Sequence, residues 1–245
     1  DNFISDYTPP FSFEYNLPKN KINNEHLNIV YPYNALFGDP LISSYKLVSE
    51  EELLAMSQVG INGIWLQGLL SKLSYYPFSK TNNDSYKVRV NNLNKFISLA
   101  KKYNIGVYLY LNEPRSLKLT DLKEEYMDLI GRKENDQVSL CISQKAVQDY
   151  LYNATKDLLE NINDLAGIIT ITSSENLTHC KHILGSDCLK CQDYKPYELA
   201  VLINNIMAKA CKDSHTKLIA NLWGWAEYCG YTNKDIEKGI KIYKR

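Results

Sequence analysis

Apolar residues along this chain gather in short blocks that alternate between two periods. Asn28–Tyr33 (NIVYPY), Ile61–Leu66 (INGIWL), Gly106–Leu111 (GVYLYL), Gly167–Ile171 (GIITI) and Leu218–Leu222 (LIANL) are uncharged runs. That is the pattern of strands buried on both faces, as in a parallel sheet. Between them the spacing becomes helical. Ser49 precedes Glu50, Glu51 and Glu52, which suit the positive end of a helix dipole, and Gly60 stops the helix after Leu53, Leu54 and Met56. Asn91–Tyr103 aligns Leu93, Phe96, Ile97 and Ala100, and Ser143–Leu159 aligns Val147, Leu151, Ala154 and Leu158. Further helices are predicted around Pro196–Cys211 and over Asn233–Arg245. Residues 1–27, with Pro9, Pro10 and Pro18, read as an irregular segment.

A β–α unit therefore recurs roughly every 45–50 residues, which predicts an α/β fold with a parallel sheet covered by helices. No glycine-rich phosphate loop follows any strand, which argues against a doubly wound dinucleotide fold. Polar and aromatic residues collect past the strand ends instead: Asn34, Gln67, Asn112, Glu113 and Arg115, Glu175 and Asn176, and Trp223 and Trp225. Convergence from many strand ends is how a (β/α)8 TIM-type barrel assembles a site. About five units are visible where a complete barrel has eight. The expectation is a barrel over 28–245 that is incomplete, has degenerate strands, or opens into a sheet.

Composition narrows the partners. Lys plus Arg and Asp plus Glu each total 28, so the net charge is zero and nothing favours nucleic acid or an acidic membrane surface. No apolar run approaches the roughly 20 residues of a membrane span. No signal peptide is legible in a chain that starts at Asp1. Localisation is open: zinc-bound cysteines would suit the cytoplasm, disulfides a secreted protein. The 19 tyrosines and three tryptophans suit stacking on sugars as well as core packing.

The candidate chemistry concentrates in Gly167–Cys191. Glu175 follows its strand closely, where a barrel presents catalytic groups. Glycosidic cleavage needs two carboxyl groups, and Glu175 suits the acid that protonates the leaving oxygen. The structural alternative is a carboxylate that caps the next helix or pairs with Lys or Arg; the strand-end location favours the catalytic role. Glu113, in LNEPR, is a candidate for contacting substrate, with Arg115 close enough to neutralise it. Gln67, Asn112 and Asn176 could bind hydroxyls, and Trp223 and Trp225 could stack on a ring.

Cys188-Leu-Lys-Cys191 is a CxxC, with Cys180 upstream and His179 and His182 beside it. Zinc takes four N/S ligands. Cys141 precedes the helix leading into the fourth strand, so its loop should neighbour that of Cys180 on one barrel face. The ligands are then Cys141, Cys180, Cys188 and Cys191, or three cysteines with His182 or His179. A disulfide such as Cys180–Cys188 or a redox pair are the alternatives. The expected role is a structural zinc holding the loop of Glu175; no organic cofactor is called for. Cys211 and Cys229 read as buried thiols.

VGINGIWLQG, NIGVYLYLNEPRS, GIITITSSEN and LIANLWGW resemble successive strand-and-mouth segments of bacterial barrel glycoside hydrolases, of the hexosaminidase or retaining-clan kind. The resemblance covers roughly residues 28–228. It implies a carbohydrate substrate and carries the acid/base glutamate after the fourth strand over to Glu175. Two departures stand out. Family-twenty-type hexosaminidases carry an aspartate immediately before that glutamate, where this chain has Ser174. Retaining enzymes take their nucleophile from the seventh strand, and the nearest late carboxylate here is Glu227. Two other readings remain: a non-catalytic carbohydrate-binding barrel, and a zinc-thiolate barrel enzyme of the methyltransferase type, which needs an open coordination position.

Overall fold

A computed structural model describes residues 26–32, 39–81, 85–173, 176–182, 188–221 and 231–243. The first half runs β1 (Ile29–Val30), α1 (Pro40–Ser43), α2 (Glu50–Gln58), β2 (Gly63–Gly68), α3 (Leu70–Leu73), α4 (Tyr86–Lys101) and β3 (Gly106–Asn112). Then follow β4 (Leu117–Lys118), β5 (Ile130–Glu134), β6 (Gln137–Leu140), α5 (Lys145–Asn161) and β7 (Gly167–Ile171). The last elements are α6 (Pro196–Asp213), β8 (Leu218–Asn221) and α7 (Asn233–Tyr243).

The main sheet has the order β1-β2-β3-β7-β8 and all its pairs are parallel. It curls into a half-barrel that does not close; β1 and β8 are its edges among the described residues. The predicted strands thus align in chain order. Leu66, Leu109, Ile168 and Leu218 share one row of the register, and Gln67, Tyr110, Ile169 and Ile219 the next. Successive rows face opposite sides of the sheet.

One side is the core. Ile64, Leu66, Val107, Leu109, Leu111 and Ile168 pack with Leu53 of α2, Phe96 of α4, Leu151 and Leu158 of α5 and Ile203 of α6. Each such side chain contributes about 1.5–3 kcal/mol on leaving water. Thr170, on the same side, donates to the Asn204 side chain of α6, so this buried hydroxyl is satisfied. The other, inner side carries Trp65, Gln67, Tyr108, Tyr110, Ile169 and Asn221. Gly167 lies under the Tyr108 ring: a Cβ there would stand 3.0 Å from the ring and 2.8 Å from the Lys217 carbonyl. α2 starts as its sequence dictates, with Ser49 Oγ accepting from Glu52 N (3.1 Å) and Glu52 Oε2 from Ser49 N (2.9 Å).

Two features depart from the sequence reading. α4 begins at Tyr86 rather than Asn91, because Val90 and Arg89 extend its buried face. A small antiparallel sheet, β4-β6-β5, is inserted between β3 and α5. Its strands alternate charged and apolar residues over too few positions to stand out, and it turns at Asn135, whose φ is 54°.

Candidate functional site

A cavity of about 840 Å³ opens on the inner side of the sheet. Its floor is an aromatic stack. Trp65 lies on Tyr31, with centroids 4.0 Å apart and planes at 16°, and meets Tyr110 at 4.5 Å and 42°. Tyr31, just past β1, continues the register to the level of Trp65, while Tyr110 stands two residues further along β3, level with Gln67 on the same face, so the parallel register sets the three rings side by side. Gln67, Arg115, Asn176 and Asn221 line the cavity at the carboxyl ends of the strands. On its flank Asp39 receives Arg89 through Nε (2.9 Å) and Nη2 (2.7 Å), and Lys72 at 3.3 Å. The Arg89 hydrogen bond holds the Asp39 carboxyl below the usual carboxylate range.

The residues after β3 and β7 interlock. Arg115 donates from Nη1 to Asn112 Oδ1 (2.9 Å) and from Nη2 to Asn176 Oδ1 (2.6 Å). Asn112 Nδ2 in turn donates to the Ile171 carbonyl at 3.0 Å. Ser116 N donates to Leu177 O (3.0 Å), and Thr178 Oγ1 to Thr172 O (2.9 Å). Buried His179 accepts at Nδ1 from Lys181 N (3.1 Å) and approaches Ser173 Oγ through Nε2 (3.3 Å). Burial lowers its pKa to about 3, so the ring is neutral and Nε2 is the donor. Ser173 Oγ then donates to Tyr231 Oη (3.1 Å), which donates to Pro196 O (3.3 Å).

Asn112, Arg115 and Asn176 are therefore brought together, and Gln67 lines the cavity with Arg115 and Asn176 while Asn112 is buried behind them. Glu113 is not: it is 2% exposed and does not line this cavity. Asn112 faces inward, so the next residue faces the helices. Its Oε1 accepts from Leu70 N (2.7 Å) and its Oε2 from Arg115 N (3.0 Å). Burial among Tyr76, Phe78 and Tyr150 pushes its carboxyl up to about 7, against the opposing pull of those two amides. Glu175, Asn34, Trp223 and Trp225 lie outside the described residues.

Cys141, Cys180, Cys188 and Cys191 converge from three parts of the chain, all buried, with every sulfur within 4.8 Å of the others. The five described cysteines are free thiols. Cys188 Sγ stands 3.7 Å from Cys141 Sγ. A neighbouring Cys180 S–H donates to Cys141 and holds that thiol far below its ordinary value, while the same pairing pushes Cys180 up. Ser143 Oγ lies 3.0 Å from Cys141 Sγ. The hairpin makes room for the group: Gly131 is the extra residue of a bulge in β5, and a Cβ on it would lie 2.1 Å from Cys180 Sγ. Gly131 has no functional signature in the sequence beyond being a glycine inside a charged strand. His182 is not in the four-sulfur group; its Nδ1 is buried without a hydrogen-bond partner among the described residues. Cys211 lies apart in α6.

No protein-family model matches the chain, and no curated protein matches its sequence. Solved glycoside hydrolases are similar in structure. One is the tandem family-20 catalytic modules of the pneumococcal exo-β-D-N-acetylglucosaminidase StrH, 9% identical with a TM-score of 0.51, covering 81% of this chain and 53% of that one. Another is the family-36 α-galactosidase AgaA of Geobacillus stearothermophilus, 13% identical with a TM-score of 0.47, covering 80% of this chain and 28% of that one. The maltogenic α-amylase AmyB of Thermotoga neapolitana is 15% identical with a TM-score of 0.44, over 79% and 45%. The chain spans about half or less of the length of these proteins. The likeness to StrH is one of fold: the open parallel half-barrel matches an incomplete TIM-type barrel. Among the described residues no helix is long and apolar enough to cross a membrane.

Proposed function

We propose that this chain forms a glycoside hydrolase-type (β/α) barrel domain that cleaves an O-glycosidic bond. The observation that carries the reading is the cavity: an aromatic floor of Tyr31, Trp65 and Tyr110 beneath a ring of amides and one guanidinium at the strand ends. A sugar ring offers an apolar C–H face for the floor and hydroxyls for Gln67, Asn176 and Asn221, and orienting contacts of this type are the usual content of a ligand site. Glu175 is the proposed general acid, because in the sequence it directly precedes Asn176, which lines the cavity. Arg115 contacts substrate, Asn112 orients Arg115, and Glu113 supports both from behind. Asn34, Trp223 and Trp225 complete the binding residues. The four cysteines hold zinc as a structural ion, with His182 outside the ligand set.

A non-catalytic carbohydrate-binding role is the second reading. It is favoured by Asp39, the carboxylate lining the cavity among the described residues, being already engaged by Arg89 and Lys72. Incubation with a panel of nitrophenyl glycosides tests the choice. Nitrophenolate release above the protein-free rate supports hydrolysis. Sugar binding by calorimetry without release from any member supports the second reading and overturns the first.

A further inference from the structure

We propose that the zinc ion at Cys141, Cys180, Cys188 and Cys191 acts as a latch that holds together the Arg115–Asn176 wall of the cavity. The inference rests on the zinc reading above and is independent of hydrolysis.

The sulfur geometry suits a closed site. A tetrahedral ion with Zn–S bonds of about 2.3 Å sets sulfurs about 3.8 Å apart. Cys188 and Cys141 stand at 3.7 Å, and no pair in the group exceeds 4.8 Å. A disulfide would need about 2.05 Å. Four thiolates fill the coordination sphere and leave no position for substrate or an activated water, so the ion's work is to join segments. It also offsets negative charge that buried thiolates could not otherwise sustain.

The segments it joins end at the cavity wall. Cys141 directly follows β6, which pairs with β4 through Leu117–Val138 and Lys118–Gln137. β4 itself directly follows Arg115 and Ser116. Arg115 is thus one two-residue ladder away from a metal ligand. On the other side Cys180 follows His179, whose ring bonds to Ser173 at the end of β7. Asn176, Leu177 and Thr178 lie between them, bonded to Arg115, Ser116 and Thr172. Cys188 and Cys191 supply the anchor, a single 3₁₀ turn ahead of α6 whose Lys190 Nζ donates to the Ile130 carbonyl of the hairpin at 2.9 Å. The Arg115–Asn176 bond closes a ring whose opposite corner is the metal. Opening that corner frees both β4 and the loop after β7 to separate, while the main sheet keeps its own ladder and core.

Metal content and hydrogen exchange test this on the protein prepared with zinc, stripped under chelator, and reloaded. The expected result is one zinc per chain. On stripping, exchange should rise about tenfold or more over residues 115–118 and 176–182 while β2, β3 and β7 stay protected, and zinc should reverse it. Cys188→Ser/Cys191→Ser should behave as the stripped protein, and Cys211→Ser should keep its zinc; should the double variant not fold, the stripped wild-type protein decides alone. Absence of zinc after preparation with zinc overturns both the zinc reading and the latch. Bound zinc with unchanged exchange in those two segments overturns the latch and leaves the zinc reading intact.

Discussion

Arg115 Nη2 donates to Asn176 Oδ1 at 2.6 Å, and this bond joins the residues leaving β3 to those leaving β7 at the wall of the cavity. The guanidinium fork serves both Asn112 and Asn176, a geometry that an ammonium cannot reproduce. Arg115→Lys should weaken carbohydrate binding about tenfold or more, in line with the roughly 1.5–3 kcal/mol of a charged hydrogen bond. Calorimetry with a bound sugar measures it. Asn176→Ala should reproduce most of the effect, and the double variant should add little, since the two side chains act through one bond.

Glu113 gives the fold a particular pH response. Its carboxyl titrates at about 7 in the folded chain, above an ordinary value of 4.5. Between those values the folded state keeps a proton that the unfolded state has released, so its contribution to stability falls as pH rises through the window. The expected span is on the order of 3 kcal/mol at 1.36 kcal/mol per pH unit. Glu113→Gln should remove that slope. It should also cost about 1–3 kcal/mol at low pH, because the amide nitrogen cannot accept from Leu70 N or Arg115 N. Urea unfolding of both proteins from pH 4.5 to 7 checks it: the advantage of the unsubstituted protein should fall steadily as pH rises, to zero or below.

Gly131→Ala places a methyl group where Cys180 Sγ now lies. The bulge has no slack to absorb it, because Cys141 Cβ stands 3.0 Å from the same point. Overpacking of this kind costs about 1–3 kcal/mol. The expected outcome is a lower unfolding midpoint and loss of zinc at a chelator concentration that the unsubstituted protein withstands.

Trp65→Ala removes the centre of the aromatic floor and both of its ring contacts. A stability loss of about 2–4 kcal/mol follows from the lost burial and pairing. Sugar affinity should fall about tenfold or more, whereas Trp65→Phe, which keeps a face to stack on, should recover most of it.

The parallel sheet was legible because each of its strands is an uncharged apolar run, the mark of burial on both faces. Cys141 was legible as a partner of Cys180 because strand order alone sets their loops on one face. The β4-β6-β5 sheet was not. Two-residue β4 and the IGRKE run of β5 carry too few apolar positions for a period, although the Asn-Asp pair at its turn was a local signal. Nor could the sequence show which side of β3 each residue after it would face. Adjacent Asn112 and Glu113 look alike as polar residues past a strand, yet alternation sends one to the cavity side and the other into the core. The aromatic floor was hidden for the same reason: Tyr31, Trp65 and Tyr110 become neighbours only through the register.

Under the proposed function, carboxyl catalysis occurs at this cavity with Glu175 as the acid. Turnover of the best nitrophenyl glycoside by the unsubstituted protein and by Glu175→Gln, with sugar binding measured on both, tests it most directly. The expected result is a fall in kcat of about 10²–10⁴, the usual worth of a general acid, with binding retained. Equal turnover by the two proteins would contradict it.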